Sequence, residues 1–157
     1  MTRVLKARKG GFTLVELLIV IIIIAILAGM LLLTTGAATD RAEATKIIND
    51  LRNMKSATLM YYVDNRDWPV GTENTPGGAA GGLIASLSRY MDRSFDIKYT
   101  TVEIKEIGEN AFGGFTLNNT IKAGVLGKLT DSAKDAGLFD NNGSPYAGGN
   151  MVYMSIR

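Results

Sequence analysis

The chain has 157 residues, 17 basic against 15 acidic and 46% hydrophobic, with no Cys and no His. That length suits one domain with an appendage; the missing residue types exclude disulfides, thiol nucleophiles, Cys/His zinc sites and Ser-His-Asp triads. The formal charge of +2 is uneven, because Arg3, Lys6, Arg8 and Lys9 all precede Gly10 and residues 12–157 hold 13 basic against 15 acidic side chains, so no basic surface points to nucleic acid.

The first element reads as a membrane helix. Leu17 to Leu33 is apolar throughout, with Gly29 its one weak member. Extended back to Phe12, the run makes a helix about 33 Å long at about 1.5 Å per residue, enough to cross a hydrocarbon core of about 30 Å. It lacks the polar stripe of a soluble amphipathic helix. The basic residues before it and Asp40 and Glu43 after it set the N-terminus in the cytoplasm and everything after residue 39 outside. Glu16 is the anomaly, since a carboxylate at mid-bilayer costs roughly 2.5–3.5 kcal/mol on insertion scales. Its bland reading is a side chain that snorkels to the cytoplasmic headgroups.

The second element continues the first without a strong breaker beyond Gly36. Ala44, Ile47, Ile48, Leu51, Met54, Thr58 and Tyr61/Tyr62 recur at helical spacing and predict one buried face. Arg41, Lys46, Asp50, Arg52, Asn53 and Lys55 lie mostly outside that stripe, with Lys46 and Asp50 spaced to pair weakly. One long helix from about residue 12 to 65 is expected, with Pro69 ending the pattern.

Gly71 to Gly82, rich in Gly, Thr and Pro, reads as a loop. Leu83, Ile84, Leu87, Tyr90 and Met91 suggest a short helix. Asp96 to Ile107 alternates as a strand, and Phe112 to Leu117 as another, with Gly113-Gly114 as a bulge or turn. Leu126 to Ala136 reads as a helix stopped by Gly137, and Met151 to Ile156 as a terminal strand. The expected fold is α+β: a small antiparallel sheet packed on the long helix. Asp140-Asn141-Asn142-Gly143 opens like a calcium loop, but the twelfth position is Met151 rather than Glu, so turn chemistry is the preferred reading. Asp64, Asp67 and Glu73 read as solvated carboxylates with no nucleophile or His nearby, and nothing argues for an enzyme.

The stretch "RKGGFTLVELL" (residues 8–18) decides the class. A basic leader ends in glycine and is followed by Phe12, Glu16 and a long apolar run. This resembles the class III signal of type IV pilins and type II secretion pseudopilins. The resemblance implies that a prepilin peptidase cuts between Gly11 and Phe12 and methylates the new Phe12 amine. Glu16, fifth in the mature chain, would then pair with the Phe12 amine of a neighbouring subunit. "AEATKIINDLRNMKSATLMYYVDNRDWP" (42–69) is similar to the second half of the family's long helix, and "FDNNGSPY" (139–146) is loosely like a segment near the C-terminal sheet of major pseudopilins. Many members carry a mid-span Pro; this chain has none before Pro69.

The implied organisation is a cleaved leader (1–11), a transmembrane and assembly helix (12–39), an amphipathic continuation (40–69) and a pilin-like extracytoplasmic α+β head (70–157). The implied protein is held in the inner membrane and then polymerises into a pilus or pseudopilus. Its partners would be other pilin-like subunits, the prepilin peptidase and an inner-membrane assembly platform. No cofactor is expected, calcium being the one weak candidate. The alternative is a monomeric secreted or membrane-anchored binding module with an ordinary signal, cut after a site such as Gly36-Ala37-Ala38. Against it, the apolar run exceeds a typical signal core of about 7–15 residues, and Glu16 has no role in a discarded segment.

Overall fold

A computed structural model describes residues 11–74, 82–91, 95 and 98–157, with main chain only at 32–35 and 74. Its elements in chain order are α1 (Leu14–Asn65), β1 (Gly71–Asn74), α2 (Leu83–Ser88), β2 (Tyr99–Ile107), β3 (Asn110–Leu117), α3 (Ala123–Ala136), β4 (Leu138–Phe139) and β5 (Met151–Ser155). The chain divides between Ala38 and Thr39 into two units.

In the first unit every described side chain from Gly11 to Leu31 is exposed. The second unit has a single core. Ala44, Ile47, Ile48, Leu51, Met54 and Ala57 supply it from α1, and Val102, Ile104, Phe115, Leu117, Val152 and Met154 from the sheet. Val125, Leu129 and Ala133 of α3 join the same core, spaced at i, i+4, i+8 on one helical face. The predicted stripe on α1 is therefore the buried one. Asp50, expected outside it, is buried too, and its carboxylate accepts the Tyr99 hydroxyl at 2.5 Å. Its position, three residues after Ile47 and four before Met54, places it on that face.

α1 ends four residues before Pro69. Arg66 adopts a left-handed φ of 58° and its N–H donates to the Tyr62 carbonyl at 2.8 Å, the geometry that satisfies terminal carbonyls when a helix stops. Gly137 ends α3 in the same way, with φ 65°, as the sequence predicts.

The sheet has the order β1-β2-β3-β5-β4, with every neighbouring pair antiparallel. Two expectations need correction here. The stretch read as a loop begins with a strand, β1, whose main chain pairs Gly71 with Ile104 through Asn74 with Thr101. Edge pairing uses backbone groups, so Gly and Thr suffice without an apolar run. Residues 75–81 of that stretch, and Asp96 and Ile97 of the strand predicted over Asp96–Ile107, lie outside the described residues.

The second correction concerns Gly113-Gly114, which is neither bulge nor turn. Both residues stay in register, opposite Ile104 and Glu103, and the irregularity in this pair lies between Tyr99 and Thr101. The glycines serve close approach on the two faces of the sheet. A Cβ on Gly113 would sit 2.8 Å from Met54 Cε on α1, and one on Gly114 would sit 2.1 Å from Tyr153 Cδ1. Tyr153 is buried over that glycine. Its hydroxyl donates to Glu103 at 2.5 Å, and the Lys105 ammonium lies 4.0 Å from its ring centre. Burial first, and then the Glu103 carboxylate, push the Tyr153 hydroxyl well above the usual tyrosine range.

Candidate processing and assembly segment

Gly11, Phe12 and Thr13 precede the helix and have no regular secondary structure. Phe12 is 92% exposed, and a Cβ built on Gly11 would meet nothing within 4 Å. Among the described residues, nothing packs over the bond between them.

What stops α1 from running back through that bond is a reciprocal cap. Thr13 N–H donates to Glu16 Oε2 at 2.8 Å, and the Thr13 hydroxyl donates to the same oxygen at 2.8 Å. Glu16 N–H returns a bond to Thr13 Oγ1 at 3.3 Å. This is the capping box: a Thr at the N-cap and a Glu three residues on satisfy two amides that the helix leaves orphaned. The first intrahelical bond follows at once, from Leu17 N–H to the Thr13 carbonyl at 3.3 Å. Sequence reasoning weighed Glu16 only as a charge and missed Thr13. The signal was present as T-x-x-E immediately before an apolar run.

The cap also changes the question that Glu16 raises. Its carboxylate holds the amide one residue beyond Phe12, so the structure brings Phe12, Thr13 and Glu16 into one short segment. From Leu14 to Leu31 the large hydrophobic side chains are between 49% and 83% exposed. α1 is long and apolar enough to cross a membrane.

The other carboxylates singled out in the sequence are engaged locally. Asp64 accepts the Tyr90 hydroxyl at 2.8 Å, and that bond raises the tyrosine above its ordinary range. Asp67 accepts the Trp68 N–H at 2.9 Å. Glu73 is half-buried rather than solvated; its Oε2 accepts the Ile84 N–H at 2.7 Å in the first turn of α2.

The suggested calcium loop forms a turn. Asp140 Oδ1 accepts N–H groups from Asn142 at 2.8 Å and Ser144 at 2.9 Å, the side-chain-closed turn that Asp favours. The Lys105 ammonium donates to the Asn141 carbonyl at 2.7 Å and also to its side-chain oxygen. Among the described residues, no three Asp or Glu side chains converge to hold a metal ion.

Residues 6–32 match the family model described as the prokaryotic N-terminal methylation motif. No curated protein sequence matches the chain. Among solved structures, the chain is similar to the major type IV pilin PilA1 from Clostridium difficile. The TM-score is 0.52 at 19% identity, over 76% of this chain and 98% of that one. The fold is that of a type IV pilin: a long N-terminal helix packed on a small antiparallel sheet.

Proposed function

We propose that this chain, which joins an N-terminal methylation motif to a type IV pilin fold, is a structural subunit of a type IV pilus or secretion pseudopilus. A prepilin peptidase cuts between Gly11 and Phe12 and methylates the Phe12 amine. The subunit waits in the inner membrane with its N-terminus cytoplasmic and the head outside. An assembly platform then draws it into a filament through residues 12–39. The observation that carries this reading is the placement of the methylation motif, residues 6–32, over the start of a helix whose described side chains up to Leu31 are all exposed. Such a surface is stable only in lipid or against other helices of its kind.

Within this reading Glu16 has two successive partners. Before the cut it accepts from Thr13. After the cut an α-amino cation lies at Phe12, and in a bundle of helices the carboxylate of one subunit neutralises the amine of another. Removing one member of a buried charge pair typically costs about 3–5 kcal/mol, because the other is left uncompensated. Glu16→Ala is therefore expected to enter the membrane and be cleaved, yet to yield few filaments in a surface-shearing assay. Thr13→Ala is the control: it removes the hydroxyl of the cap, a loss of about 1 kcal/mol, while keeping the charge, and filaments should persist. Wild-type filament yield from Glu16→Ala would show that the carboxylate serves only as a cap or an interfacial charge.

A further inference from the structure

Between Arg41 and Val63 the exposed side of α1 carries Arg41, Lys46 and Arg52; Lys55 is half-exposed beside them, as is Glu43, which pairs with Lys98. Two of these cations line a groove of about 440 Å³. Arg52, Lys55 and Leu59 enter it from α1, Phe139 from β4 and Met154 from β5. Leu59 is 38% exposed. The groove therefore offers two positive charges beside an apolar surface, and no acidic residue lines it. Among the described residues Arg52 and Lys55 have no carboxylate partner.

The complementary feature is the tip of the β2–β3 hairpin. Ile107 pairs with Asn110 across a two-residue loop, Gly108-Glu109. Gly108 has a φ of 63°, which a tight hairpin turn demands at its first central position. Glu106, Gly108, Glu109 and Asn110 are all exposed, and among the described residues neither glutamate has a cationic partner. A short closed hairpin is preorganised, so little chain entropy is lost when it docks.

We infer that the Arg52/Lys55 groove of one subunit receives the Glu106–Glu109 hairpin tip of a second copy of this chain. This inference rests on the filament reading above and adds a contact between heads. The two surfaces differ from each other, so the contact is heterologous, the kind that propagates into an open helical array. Oppositely charged patches fix register and discourage wrong partners, a role that an apolar helix without directional groups fills poorly.

The test uses the full chain in cells that assemble it, with membrane levels measured in parallel. R52E/K55E and E106K/E109K should each lower the sheared filament yield by about tenfold or more, because like charges then face each other across the contact. The four changes together should restore it. Wild-type yields from both pairs, or no recovery in the combined variant, would overturn the inference and leave the filament reading standing. Absence of filaments from the unaltered chain would remove both. A second readout does not depend on charge. The chain has no cysteine, so Lys55→Cys with Glu109→Cys should give an oxidant-dependent ladder of cross-linked subunits. A chain that stays monomeric under oxidation would count against the contact. If R52E/K55E leaves filaments unchanged but abolishes binding to anionic lipid vesicles, the groove belongs to a membrane surface and the inference fails.

Discussion

The two units solve the same problem in opposite ways. From Thr39 onward, α1 turns Ala44, Ile47, Leu51, Met54 and Ala57 into a core that its own chain completes. Before Ala38 the helix is apolar around its whole circumference, and its described side chains up to Leu31 are exposed. An amphipathic stripe specifies a partner within the chain; an unbroken apolar cylinder specifies lipid or other copies of itself. The lesson is that an internal core and an exposed apolar surface are encoded in successive stretches of one helix, and the change of pattern near residue 39 marks the boundary.

The most severe way to break this comparison is to separate the units. A chain beginning at Thr39 should be soluble, folded and monomeric, because its buried stripe is intact while the exposed apolar surface is gone. Analytical ultracentrifugation checks it. Stable filaments from that chain would show that the head, not residues 12–38, carries assembly.

A smaller effect comes from making one substitution in both units. In the head, Gly114→Ala places a methyl against the Tyr153 ring, at 2.1 Å before relaxation, and should destabilise by about 1–3 kcal/mol, the usual range for overpacking. Gly29→Ala in the first unit meets nothing within 4 Å. It should leave the thermal unfolding midpoint of the head unchanged. Equal shifts from the two changes would contradict the independence of the units.

The sequence made the long helix and its two halves legible because both rest on hydrophobic pattern over many residues. The apolar run around Ile21–Ile24 and the stripe from Ala44 to Thr58 are each longer than any competing signal. It was poor where structure is made by backbone groups or by a single contact. β1 is built from Gly71-Thr72-Glu73-Asn74 and exists because β2 offers an edge. β4 is only Leu138-Phe139, too short to show alternation. Gly113-Gly114 looked like a turn because glycine's use for close approach depends on Met54 and Tyr153, which are distant in sequence. At the candidate site, Gly11, Phe12 and Glu16 were found through the resemblance of their pattern. Thr13 was overlooked although T-x-x-E is a local signature. The Arg52/Lys55 groove could not be read at all, since it joins α1 to strands β4 and β5.

The most direct measurement of the central claim is the intact mass of the subunit recovered from sheared filaments. The account predicts a species spanning Phe12–Arg157 with one added methyl group on the Phe12 amine. A filament subunit beginning at Thr39, or one that retains residues 1–11, would contradict it.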